Sequence, residues 1–109
     1  MIFRSEVDEP TFELILSKKR IIEPRLYDEI HAKIKAGDMI VFINRETKKE
    51  IVAKVVGILR FGSFKELFNS YPTERFGKTE RELLADMRQF YGEKELALGV
   101  AGFKIHNLN

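Results

Sequence analysis

Cysteine is absent from this 109-residue chain, which removes disulfides, thiolate nucleophiles and sulfur-ligated metal sites from consideration. The two histidines, His31 and His106, stand far apart and in no spacing typical of metal ligands, so no metal is expected. Such sparse histidine makes no credible Ser-His-Asp set, and no Gly-rich phosphate loop is present. No apolar run approaches the ~20 residues that span a bilayer, and Met1 to Glu6 lacks the pattern of a signal peptide. A cytoplasmic monomer with no membrane contact and no cofactor is the expectation. The net charge of +2 also excludes a polycation that coats nucleic acid indiscriminately.

What remains is ordinary globular material: 44% hydrophobic residues with nine Phe, enough for one modest core and one domain over residues 1–109. The 33% charged content and the single Gln, Gln89, match the tendency of proteins from hot environments. Charge is unevenly placed. Residues 18–35 carry Lys18, Lys19, Arg20, Arg25, Lys33 and Lys35 against Glu23, Asp28 and Glu29, whereas residues 6–9 are acidic. A basic patch can therefore sit on a nearly neutral protein.

Periodicity and punctuation order the elements. Residues 2–4 read as a short edge strand. Asp8-Glu9-Pro10 opens a helix that ends near Ser17-Lys18-Lys19. Ile21 to Arg25 reads as a strand, in which Pro24 implies an edge position or a bulge. Tyr27 to Lys35 reads as a short helix with Ile30 and Ile34 on one stripe. After the Ala36-Gly37-Asp38 turn come a buried strand, Met39 to Ile43, and a second from Ile51 to Phe61, joined as a hairpin and bent at Gly57. Capping boxes at Ser63–Glu66 and Thr79–Glu82 open two helices. The second carries Leu83, Leu84, Met87, Phe90 and Tyr91 on one face and stops at Gly92. Residues 97–105 form the closing strand. No βαβ repeat occurs, so a small mixed barrel with helices on one side is expected.

Chemistry concentrates at the helix-to-strand junction. In a strand, Glu23 and Arg25 share a face, and Arg20 lies just before it. Two guanidinium forks beside one carboxylate suit phosphate, carboxylate or the polar edge of a base. The plain alternative is a salt bridge that pins helix to strand. Tyr71 and Phe76, in the loop between the last two long helices, are candidate stacking platforms; Phe64 and Phe68, at helical spacing, belong in the core.

The junction, Lys18-x-Arg20-x-x-Glu23-x-Arg25, resembles the G-x-K-x-x-E-x-R signature of the ASCH domain, a member of the PUA-like barrel superfamily. Glu23 and Arg25 match the acid and the last Arg; Arg20 stands for the Lys and Lys18 for the Gly. Gly37-Asp38 before Met39-Ile40-Val41-Phe42, and Phe90-Tyr91-Gly92 through Val100-Ala101-Gly102-Phe103, carry the resemblance over nearly the whole chain. It implies an α+β fold, a small PUA-like mixed β-barrel with flanking helices. It also implies a cleft, lined by the motif, that binds RNA or a nucleotide in RNA metabolism. The expected ligand-binding set is Arg20, Glu23 and Arg25, joined by Lys19 and Tyr71, although Lys18 and Lys19 also fit a solvated helix end.

One branch of small ASCH-like proteins hydrolyses the N-acyl group of acetylated cytidine with a Lys, a Thr nucleophile and a later Glu. The resemblance therefore implies an alternative, an amidohydrolase acting on an N-acylated, modified nucleoside, with Glu23 or Glu74 handling water. Arg20 cannot take the place of that Lys as a base, because a guanidinium stays protonated below pH ~12. Glu23 also occupies the nucleophile's position. Binding without catalysis is the first expectation.

Overall fold

The computed structural model describes the backbone of residues 1–109 and every side chain except those of residues 95 and 96. In chain order the elements are β1 (Ile2–Val7), α1 (Glu9–Leu16), β2 (Ile22–Leu26), β3 (Met39–Asn44), β4 (Glu50–Phe61), α2 (Phe64–Ser70), α3 (Glu80–Tyr91), α4 (Glu95–Leu98) and β5 (Val100–Asn107). Single 3₁₀ turns lie at His31–Lys33 and Thr73–Arg75. The five strands make one curled sheet in the order β1-β3-β4-β5-β2, an open half-barrel of α+β type. β1 runs parallel to β3, and the other neighbours are antiparallel. Among the described residues, no helix is long and apolar enough to cross a membrane.

Local chemistry accounts for most boundaries. Asp8 accepts the Thr11 backbone N–H at 3.0 Å and starts α1, with Pro10 in the first turn. Thr79 and Glu82 form a reciprocal capping box at α3, and Ser63 Oγ accepts the Glu66 N–H at α2. The β4–β5 ladder shifts register between Val55 and Gly57, which bends the long strand where the sequence places the glycine. Pro24 is accommodated because β2 is an edge strand paired only with β5.

Two apolar clusters share the sheet. Phe12 and Ile15 of α1 pack with Phe42, Ile51, Val55 and Phe103 on the concave side. Ile22 and Val100 pack on the opposite side beneath Phe64, Phe68, Leu83 and Met87 of α2 and α3. Gly102 is required at that second contact, since a Cβ there would stand 2.8 Å from Leu67 Cδ1 and 3.0 Å from Ile22 Cγ2. Alternation along β2 thus sends Ile22 to the helices and Glu23 and Arg25 to the concave side.

The structure corrects three expectations. Tyr27 to Lys35 is not a helix; only His31–Lys33 makes a 3₁₀ turn. Asp28 Oδ1 accepts the His31 backbone N–H at 2.9 Å, a local bond that competes with helix propagation. Ile30 is 65% exposed while Ile34 is buried, so the two form no common stripe. β1 extends to Val7, because the parallel pairing with β3 continues from Ile2↔Met39 to Val7↔Asn44. The closing strand starts at Val100 rather than at residue 97, since Glu95–Leu98 is a helical turn and Gly99 breaks it with φ +74°.

Lys18, at the position where the ASCH signature has Gly, adopts φ 65°. It is the left-handed residue that ends α1, its N–H donating to the Ile15 carbonyl at 3.1 Å while Arg20 N–H returns to Leu14 O at 3.0 Å. A side chain in that region costs ~1–2 kcal/mol, partly offset because Gly loses more chain entropy on folding. Lys18→Gly is therefore expected to stabilise the protein by roughly 0.5–1 kcal/mol in urea denaturation; an unchanged or lower midpoint would contradict this account of the turn.

Candidate functional site

Arg20, Glu23 and Arg25 converge at the start of β2. Arg20 and Glu23 are 3% and 4% exposed and, among the described residues, are buried polar groups beside the apolar core together with Asn44. Arg20 leaves the end of α1, and its Nε donates to the Phe76 carbonyl at 2.8 Å. Its Nη1 stands 3.6 Å from Glu23 Oε2, while Arg25 Nε donates to Glu23 Oε1 at 3.3 Å. The carboxylate is thus held between two cations, as a charge withdrawn from water requires. Glu23 Oε2 nevertheless has no hydrogen-bond partner.

This triad floors a cleft of about 210 Å³. Its wall carries Arg45 and Asp86, and the aromatic residues Phe90 and Tyr91 close one side. Phe90 is 56% exposed, which corrects its expected place on the buried face of α3. Tyr91 instead stacks on Phe64 at a centroid distance of 5.7 Å, and burial raises its hydroxyl pKa. Asp8 also reaches the cleft. Burial alone would raise its pKa, but the Thr11 hydrogen bonds and the charges of Lys78 and Arg45 outweigh that and lower it. The cleft therefore alternates cations and carboxylates, an arrangement that matches a polar heterocycle with donors and acceptors better than a bare polyanion.

β1 and β2 are the two free edges of the sheet, and the cleft lies between them, reached by Glu6 and Val7 on one side and by Glu23 to Arg25 on the other. Further along the same gap is a recess of about 70 Å³ lined by Phe3, Ser5, Phe42, Phe103 and His31, with Glu23 and Arg25 common to both spaces. His31 Nδ1 pairs with Asp28 Oδ1 at 2.8 Å. Burial, then the nearby Arg25 charge, lowers the imidazole pKa below its ordinary value.

The other expected residues lie elsewhere. Lys19 is exposed and lines a shallow surface depression with Lys18 and Glu74. Glu23 lines the cleft and Glu74 that depression, so the two carboxylates share neither space. Tyr71 packs beside the second apolar cluster with Lys104 Nζ 5.0 Å from its ring centre. Arg45, Asp86, Phe90 and His31 were not singled out from sequence as site residues. The only available signal was the Phe90-Tyr91 pair, of which a helix can bury one more deeply than the other. Among the described residues, no group of three or more His, Cys, Asp or Glu could hold a metal ion.

Two expectations follow. Arg20→Met removes one buried partner of Glu23 and should cost about 3 kcal/mol or more of stability in urea denaturation, whereas Lys19→Ala, at the surface, should change it by less than ~0.5 kcal/mol. Equal effects would refute the structural ranking. For His31, the unfolded chain binds a proton near pH ~6.5 and the folded chain only below that. Stability should therefore fall as pH drops from about 7.5 to 5.5, and His31→Asn should flatten that slope of Tm against pH.

No protein-family model and no curated protein matches the sequence. Solved structures do. The crystal structure of the hypothetical protein PH0355 is similar over 99% of this chain and 100% of its own, at 36% identity and a TM-score of 0.86. The solution structure of PF0455 from Pyrococcus furiosus is similar over 100% of this chain and 99% of its own, at 33% identity and a TM-score of 0.79. ASCH from Zymomonas mobilis is similar over 96% of this chain and 66% of its own, with 15% identity and a TM-score of 0.69, a likeness of fold. The chain belongs to the family of PH0355 and PF0455, and its fold is the PUA-like fold of the ASCH domain.

Proposed function

We propose that this protein binds RNA or a nucleotide in the cleft between β1 and β2, with Arg25 and Glu23 as polar contacts and Phe90 as a stacking surface. The observation that carries this is Glu23: a buried carboxylate at the cleft floor with one oxygen lacking a hydrogen-bond partner. Such an oxygen costs free energy until a donor meets it, and the N–H groups of a nucleobase are donors of the right kind. A cleft of about 210 Å³ lies below the ~300–1,000 Å³ of drug-sized sites, which favours one base with its sugar over a longer stretch of chain. Exposed Phe90 at its mouth offers the face on which an unstacked base rests. The mix of Arg45 and Asp86 on the wall supports selectivity over strength. A role in RNA metabolism follows from the same reading.

Arg20 serves this site by holding Glu23 rather than by reaching a ligand, because its Nε is committed to the Phe76 carbonyl. Of the two carboxylates offered for the hydrolytic alternative, Glu23 or Glu74, Glu74 lines a different surface from the cleft. What remains for it is Glu23 acting alone on water.

The test is equilibrium binding of mixed-sequence single-stranded RNA and of the four nucleoside monophosphates. Arg25→Lys keeps the charge but loses the planar fork, and should weaken binding about 5–30-fold. Phe90→Ala should cost ~1–3 kcal/mol of base stacking. Affinity for RNA should fall as salt rises. Wild-type affinity in both variants would defeat the reading. N4-acetylcytidine belongs in the panel: turnover abolished by Glu23→Gln would replace binding by hydrolysis as the activity.

A further inference from the structure

Lys18, Lys19, Arg75 and Lys78 gather around one open depression of about 680 Å³, between the turn after α1 and the start of α3. Lys78 is already engaged, its Nζ meeting Asp86 Oδ2 at 2.6 Å. Lys18, Lys19 and Arg75 are exposed and, among the described residues, form no ion pair. Two carboxylates share the depression. Glu82 is folded back on its own helix, where its Oε1 accepts the Thr79 N–H at 3.1 Å and the Thr79 hydroxyl at 2.9 Å. Glu74 is left against three open cations. The loop carrying Arg75 is fixed, because Arg75 O accepts from Ile21 N at 2.9 Å and Phe76 O accepts from Arg20 Nε at 2.8 Å. Lys18 is also unusual in its backbone, since φ 65° is a region where a side chain costs free energy. A lysine held there is the kind of outlier that marks a functional position.

The depression and the cleft meet at the Lys78–Asp86 pair, because Lys78 lines the first and Asp86 the second. Both side chains of that pair are partly exposed, so the ridge between the two spaces lies at the surface. From this we infer that the depression is a track for the backbone of a single-stranded RNA, one nucleotide of which is seated in the cleft. Phosphates of the flanking nucleotides cross the ridge and meet Lys18, Lys19 and Arg75. The two spaces divide the work. The cleft is small and mixes both signs, so it selects; the depression is open and carries excess positive charge, so it adds affinity without reading sequence. A duplex would have to give up a base pair to reach the cleft, and a free nucleotide would leave the depression empty. The partner is therefore an unpaired stretch of RNA several nucleotides long.

This inference rests on nucleotide binding in the cleft, and its test separates the two. Affinities of the four nucleoside monophosphates and of a mixed-sequence, single-stranded RNA hexamer are measured between about 50 and 200 mM salt. At the low end the hexamer should bind at least about 10-fold more tightly than the best monophosphate. A variant combining Lys18→Gly, Lys19→Ala and Arg75→Ala should remove most of that advantage, with monophosphate affinity held within about 2-fold. Each lost phosphate contact should lower the slope of log affinity against log salt by ~0.7, or about 2 in all. A control combining Lys33→Ala, Lys35→Ala and Lys65→Ala removes the same charge from exposed positions outside both spaces. It should weaken the hexamer by less than about 2-fold, because distant surface charges are screened. Urea denaturation checks that both variants fold, and Lys19→Ala alone, with a slope change of ~0.7, carries the test if the combined variant does not. A hexamer that binds no more tightly than the monophosphates, or equal losses in the two combined variants, overturns the track and leaves the cleft standing. A monophosphate loss as large as the hexamer loss does the same. No binding of RNA or of any monophosphate by wild type overturns both.

Discussion

Glu23 is the residue around which the molecule is arranged. A carboxylate taken out of water is tolerated only beside opposite charge, and here that charge arrives from two directions. Arg20 comes from the end of α1 and is itself anchored on the Phe76 carbonyl; Arg25 comes from the next inward position of β2. Satisfying one ion therefore ties together the first helix, the edge strand and the loop before α3. The left-handed turn at Lys18 and the Arg20 N–H bond to Leu14 set the angle at which Arg20 enters. Ile21 is bonded on both sides, its N–H donating to Arg75 O and its carbonyl accepting from Ile105 N, each at 2.9 Å. The junction is rigid because each of its parts answers a different unsatisfied group.

The open half-barrel supplies what a closed one would remove. Free strand edges are a liability in most sheets, and β1 and β2 are both edges. In this fold the gap between them is occupied by side chains of alternating sign and by aromatic rings instead of by backbone pairing. A site placed there is walled by two strands and floored by a buried ion array, so its polar atoms are held in fixed positions before any ligand arrives.

Much of the fold was legible in the chain. The strand runs, the bend at Gly57, the edge position of Pro24 and the capped starts of α1 and α3 all rest on local rules that tertiary packing did not override. The segment from Tyr27 to Lys35 was not legible, because the Asp28 side chain bonds the backbone locally and Ile30 finds no core to enter. The site divided in the same way. Glu23 and Arg25 share a face by strand alternation, which spacing predicts. Lys19, Tyr71 and Glu74 belong to other surfaces, and near neighbours in sequence such as Lys19 and Arg20 parted because the left-handed turn between helix and strand breaks both periodicities.

By itself the sequence determined most of the strands and the capped helices, the acid and arginine pair of β2, and the exclusion of thiol chemistry, since these depend on residue type and short-range geometry. The tertiary structure alone decided that Arg20 is a buried support, that Phe90 stands open at the cleft, and that His31 comes round to share a recess with Glu23. Those outcomes depend on how the two edges of a curled sheet approach each other in space. Contacts between strands distant in the chain leave no periodic trace along it.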